Sequence, residues 1–197
     1  MNSDYKVITI SRQYGAGGRT VAKSLSEKLG IPFYDNDFVK LTAKESGFSE
    51  NDILREGEDI SYVSRFVNSI LNNSSSYTSS HDAIFDAQVR TILELAKEPC
   101  IIVGRCSNII LSAAKIRSFD IFLYADMEHR YKRAEELHEN GSMDLKKFIE
   151  KRDKQRDIYY KTYTGHTPGM FQDYDICLNT GAIGMDNCVD ILVNILK

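Results

Sequence analysis

The sequence predicts a three-layer α/β domain, a five-stranded parallel sheet with helices on both faces. Five short apolar runs, at residues 7–10, 33–34, 100–103, 120–124 and 176–178, are separated by segments of helical periodicity. Strands that alternate with helices pair in parallel, because a parallel connection needs a helix-length crossover. A chain of 197 residues suits one such core carrying insertions and is tight for two independent domains.

The first run, Val7-Ile8-Thr9-Ile10, leads through Ser11-Arg12-Gln13-Tyr14-Gly15-Ala16-Gly17-Gly18 into a helix with Val21, Ala22, Leu25 and Leu29 on one face, ending at Gly30. Strand, glycine turn and helix in that order make a phosphate cradle. Glycines permit positive φ and close approach, and the first N–H groups of the helix meet an anion at the positive end of its dipole. The segment departs from the consensus G-x-x-x-x-G-K-[ST] in that Arg12 stands at the first glycine and Gly18 at the lysine. Arg19 is the neighbouring cation expected to replace that lysine, and Arg12, Gly15, Ala16, Gly17, Gly18, Arg19, Thr20 and Val21 form the expected phosphate-binding segment. Two other readings stand beside this one: a glycine turn with no ligand, and a dinucleotide fold. Gly15-Ala16-Gly17 opens G-x-G-x-x-G, but Thr20 replaces its third glycine and Asp35 follows only a very short strand.

Pro32 starts the second strand, and a helix is expected from Asn36 or Asp37 to Gly47, with Ser49 capping another. Residues 49–80 change character, with an acidic piece at 56–59 and a polar run at 72–76 that cannot pack. They read as an insertion closing over an acceptor or as a plain surface loop. Residues 127–160 read as two charged helices joined at Asn140-Gly141, where interleaved acidic residues explain many of the cations by i,i+4 pairing.

A net charge of −3 argues against a nucleic-acid-coating or membrane-surface protein and favours free nucleotides as partners. No segment approaches a membrane span and the amino terminus lacks an apolar signal core, so a cytoplasmic location is expected. The four cysteines form no C-x-x-C pair and read as reduced and buried, and the four histidines lack ligand spacing.

The glycine loop, Tyr34-Asp35, Val103-Gly104-Arg105, the arginine-rich helical pair and Asn179-Thr180 occur in an order and spacing that resembles the cytidylate-kinase-like family of P-loop nucleoside-monophosphate kinases, over essentially the whole chain. The resemblance implies a single P-loop NTPase-type domain, with a core at about 1–48, 81–126 and 168–197, an acceptor-binding insertion at about 49–80 and a helical lid at about 127–167. It implies transfer of the γ-phosphoryl group of a nucleoside triphosphate, ATP, with Mg2+, to a small phosphorylated acceptor such as CMP. Matched to this chain, Gly15, Gly17, Gly18, Arg19 and Thr20 would wrap the donor phosphates, with the Thr20 hydroxyl on magnesium. Arg19, Arg105, Arg130, Arg133 and Arg152 would carry catalysis, because a guanidinium fork grips phosphate oxygens in pairs and stays charged. Asp35, Asn36, Lys40, Arg105, Asp153 and Arg156 would face the acceptor.

This chain departs from the pattern in places. Cys106 stands where an aspartate follows the Gly-Arg pair, Asn36 replaces a serine, and Arg156 and Tyr159 stand where cytidylate kinases read the base. Two other functions stay open: a nucleotide-binding sensor that lost turnover with the lysine, and a dinucleotide-dependent oxidoreductase. Small-molecule nucleotides are the expected partners, with no nucleic-acid polymer and no membrane; the sequence does not fix the oligomeric state.

Overall fold

The computed structural model describes residues 5–35, 47, 49 and 80–197. The expected helix from Asn36 or Asp37, Lys40 and nearly all of the 49–80 insertion lie outside the described residues. Five parallel strands, β1 (Val7–Arg12), β2 (Phe33–Tyr34), β3 (Cys100–Val103), β4 (Ser118–Tyr124) and β5 (Ile176–Asn179), form one sheet in the order β2-β3-β1-β4-β5. The helices among the described residues are α1 (Gly18–Leu29), α2 (Ser80–Leu95), α3 (Ser107–Ala113), α4 (Met127–Leu137), α5 (Leu145–Thr164), α6 (Thr180–Ile183) and α7 (Met185–Leu196). None of them is long and apolar enough to cross a membrane.

β1 is flanked on both sides, so its apolar residues alternate between two buried faces rather than between core and solvent. Ile8 and Ile10 pack with Val21 and Leu25 of α1 and Val189 and Leu192 of α7. Val7 packs on the other face with Phe85 and Ile92 of α2, Ile110 of α3 and Tyr159 and Tyr163 of α5. Phe85 stacks on Tyr163 with ring centroids 3.9 Å apart. Each such aliphatic or aromatic side chain stabilises the fold by roughly 1.5–3 kcal/mol when fully buried. All four cysteines are free thiols; Cys100, Cys106 and Cys188 are buried, whereas Cys177 is only half-buried, on the outer strand β5.

β1 and β3 are parallel neighbours, so the loops that follow them leave the same edge of the sheet, one entering α1 over one face and the other entering α3 over the opposite face. Ligands of open α/β sheets bind at this switch point, outside the carboxyl ends of the strands. α1 ends at Gly30, whose left-handed φ of 69° lets its N–H reach the Ser26 carbonyl at 2.8 Å. The α4–α5 pair is joined through residues 138–144, with Asp126 and Asp144 capping the two helices by accepting from the His129 and Lys147 amides.

Candidate active site

The turn between β1 and α1 is held from several sides. The Gln13 amide donates to the Leu123 carbonyl at 3.0 Å, and the Thr180 hydroxyl at the start of α6 donates to the Ala16 carbonyl at 3.0 Å. Gly15 and Gly17 both take a φ of 79°, a conformation that costs other residues about 1–2 kcal/mol. Gly15 has a second reason to be glycine, since a Cβ there would lie 2.6 Å from the Arg130 carbonyl oxygen. No side chain caps α1 at Gly17, so the start of this helix opens on the cleft with its dipole uncovered.

That cleft has a volume of about 690 Å³ and runs between the turn, the end of β3 and the inner face of α5. Six arginines line it, Arg12, Arg19, Arg105, Arg133, Arg152 and Arg156, against two carboxylates, Asp35 and Glu139. Both carboxylates have partners within the site. Asp35 accepts from Arg19 Nε at 2.7 Å and lies 3.6 Å from Arg12 Nη2, and Glu139 accepts the Tyr14 hydroxyl at 2.7 Å. Burial first, and then the neighbouring Arg156, Arg105 and Arg19, push the Arg12 guanidinium down to about 9, with Asp35 opposing them. Arg12 is still charged at neutral pH, in a cleft where arginines outnumber carboxylates among the described residues.

Arg105 reaches the cleft by an unusual backbone path. Gly104, Arg105 and Cys106 take successive φ values of 77°, 59° and 58°, a left-handed run that turns the chain sharply from β3 into α3. Non-glycine residues enter this region at a cost and do so most often where a site requires it. From α4, Arg133 Nη2 donates to the Thr20 hydroxyl at 3.1 Å, while the Arg152 and Arg156 guanidinium groups of α5 lie 5.8 Å and 5.5 Å from the ring centroids of Phe148 and Tyr14. Rings under cations position them without neutralising them.

The structure brings Arg12, Gly15, Gly17, Gly18, Arg19, Thr20, Asp35, Arg105, Arg133, Arg152 and Arg156 to this one cleft. It places the other sequence candidates elsewhere. Ala16 and Val21 are buried in the core beneath the turn. Arg130 is 6% exposed and sits behind the turn, where it ion-pairs with Asp153 and donates to the Tyr14 carbonyl at 3.3 Å. Asp153 also accepts the Tyr14 amide at 2.7 Å, so this pair braces the loop from outside the cleft. Asn36 and Lys40 lie outside the described residues.

Some participants were not singled out from the sequence. Gln13 lines the cleft and accepts the Ala125 amide at 3.3 Å through its side chain, and Tyr14 and Glu139 form the bond across its rim. Tyr14 alone carried a usable signal, an aromatic between the strand and the first glycine of the turn. His129 and His166 pair with Asp126 and Asp173 at the surface, and no cluster of metal-ligating side chains occurs among the described residues.

Relatives match this chain over nearly its whole length. A cytidylate kinase of Methanobrevibacter smithii is 27% identical over 195 residues, which cover 97% of this chain and 98% of that protein. An uncharacterized protein from Eubacterium ventriosum superposes with a TM-score of 0.70 at 26% identity, over 96% of this chain and 97% of its own. A shikimate kinase from Bacteroides thetaiotaomicron shares the fold at a TM-score of 0.57 and 13% identity, over 96% and 97% of the two chains. The model of the cytidylate kinase-like family matches residues 7–182, from the first residue of β1 to within α6. On that match, which takes in the glycine turn and every cleft arginine, the chain belongs to the cytidylate kinase-like family.

Proposed function

We propose that this protein transfers the γ-phosphoryl group of ATP, with Mg2+, to a nucleoside monophosphate, with CMP as the first acceptor to test. Family membership supports the coarser reading, a nucleotide kinase. The observation that carries the finer one is the cleft itself, in which six arginines face two carboxylates around an uncapped helix start. A pocket built this way favours two phosphate-bearing ligands at once.

A phosphate acceptor suits the cleft chemically. An oxygen of the acceptor phosphate dianion forms the new P–O bond while the bond to the β,γ-bridging oxygen breaks, and the electron pair leaves on ADP. No proton has to be removed from the acceptor, so no general base is required. Catalysis is then positioning and charge neutralisation, work for arginines and backbone N–H groups. In this reading the start of α1 meets the donor, Arg105 and Arg156 hold the acceptor phosphate, and Arg133 and Arg152 cover the transferring group. Thr20 fits magnesium, since its hydroxyl faces the cleft and accepts there from Arg133. Mg2+ keeps most of its waters and takes few protein ligands, so one hydroxyl together with the substrate phosphates suits it. The ion supplies further neutralisation of donor charge, and Arg133 would leave the hydroxyl to take a phosphate oxygen. The location that goes with free-nucleotide substrates is the cytoplasm.

The test is an ADP-release assay with ATP and a panel of CMP, dCMP, UMP, AMP and GMP, with cytidine as the uncharged control. Turnover of one or more monophosphates and none of cytidine supports the proposal. Equal turnover of cytidine refutes it. The missing lysine favours one other reading, a nucleotide sensor, whose signature is saturable ATP binding with no consumption against any acceptor.

A further inference from the structure

We infer that Arg12 supplies the donor-phosphate cation that the lysine of the consensus loop supplies, reaching it from the end of β1, and that Gly18 is glycine to give its stem room. The inference deepens the phosphoryl-transfer reading and rests on it. A Cβ on Gly18 would lie 2.8 Å from Arg12 Cγ and 3.2 Å from Cδ, and a Cβ on Gly104 would overlap Arg12 Nη1. The stem of Arg12 therefore crosses the face of Gly18, the position from which the consensus lysine would rise. Its guanidinium lies between the uncapped start of α1 and the end of β3, where a donor phosphate would sit.

Arg19, the nearer candidate in sequence, is placed differently. Its side chain is 54% exposed and its Nε donates to Asp35 at 2.7 Å. Asp35 also lies 3.6 Å from Arg12, so one carboxylate sets the direction of both guanidinium groups. Three further cations crowd Arg12, Arg156, Arg105 and Arg19, and a polyanion in the cleft relieves that repulsion. Lysine at position 18 and arginine at position 12 are thus alternative solutions that exclude one another sterically.

Mutual exclusion gives a test that simple loss of function does not. Arg12→Ala should lower kcat/KM by about 10²–10³, the usual loss for one transition-state charge partner. Gly18→Lys should be impaired alone, because its Cβ meets the Arg12 stem. The double variant Arg12→Ala/Gly18→Lys should recover to within about tenfold of wild type, as the vacated space admits the lysine. ADP affinity by calorimetry should follow the same order, and Arg12→Met keeps the stem in place should the alanine variant fail to fold. Near-wild-type kinetics and ADP affinity in folded Arg12→Ala or Arg12→Met would overturn the inference, as would a double variant no better than Arg12→Ala. A wild type that binds ADP with this Arg12 and Gly18 pattern but transfers no phosphoryl group would refute the kinase reading and leave the role of Arg12 standing.

Discussion

Replacing Asp153 by alanine removes the ion-pair partner of the buried Arg130 and the acceptor of the Tyr14 amide in one step. The Arg130 side chain is 8% exposed and that of Asp153 22%, so the pair is mostly but not wholly withdrawn from water. Leaving one member of a buried pair uncompensated costs about 3–5 kcal/mol, and the exposure of Asp153 places this case near the lower figure. The orphaned amide adds about 1 kcal/mol. The expected loss is therefore about 3–4 kcal/mol, or roughly 6–16 °C in Tm for a chain of this size. Urea unfolding followed by far-UV circular dichroism measures the first figure and a thermal melt the second. Arg130→Met/Asp153→Leu should cost much less than the sum of its single variants, because an apolar pair of similar volume replaces a desolvated one. A loss below about 1 kcal/mol in Asp153→Ala, or additive single variants, would refute the bracing role and return Arg130 to the list of phosphate ligands.

Gly15→Ala and Gly30→Ala both place alanine at positive φ, but only the first meets backbone, while the second points into open space. Both should lose about 1–2 kcal/mol from conformation, and Gly15→Ala should lose more and raise the KM for ATP; equal stability and kinetics would show that the Arg130 contact yields easily. Arg105→Ala should raise the KM for the monophosphate acceptor roughly 10–150-fold, equivalent to one charged hydrogen bond of about 1.5–3 kcal/mol, with a much smaller effect on ATP; a loss confined to ATP would assign Arg105 to the donor. Burial raises the Asp120 carboxyl above its ordinary 3.8 despite hydrogen bonds from Thr9 and Ser118, so the native state binds the extra proton just above that pH. Stability from this group accordingly falls as pH rises through that window, and Asp120→Asn should flatten the slope in denaturation midpoints measured across it; an unchanged slope would exclude Asp120 as its source.

The strands were readable because their central stretches are apolar on both faces, and the observed ends differ by one or two residues for a physical reason. Ser11 and Arg12 belong to β1 through parallel pairing with Phe122 and Leu123, a backbone property that polar side chains do not report. Ser118 and Phe119 extend β4 in the same way, opposite Val7 and Ile8. Gly30 as the end of α1 was legible because few residues other than glycine accept that conformation. The cleft was legible in kind, as glycine turn plus arginines, but not in allocation. Periodicity places Arg130 and Arg133 one turn apart on α4, and nothing in it tells which of them faces the loop from behind and which reaches Thr20. The path of Arg12 over Gly18 was hidden for a similar reason, since proximity in sequence favoured Arg19 and the contact depends on how β1 enters the turn.

The two ends of Tyr14 are held by residues from beyond α4: its amide by Asp153 on α5, its hydroxyl by Glu139 in the connection between the helices, and its ring edge-on against Phe148. The phosphate turn and α5 are mechanically one piece. A hinge that swung the α4–α5 hairpin open would have to drag the turn with it or break all three attachments together. An opening swing of that hairpin would therefore carry the turn with it, whereas Arg152 and Arg156, as long side chains, can rotate away from their ring supports and back within nanoseconds. The turn is thus held in shape by contacts that need no ligand, so its ordering precedes anything that enters the cleft.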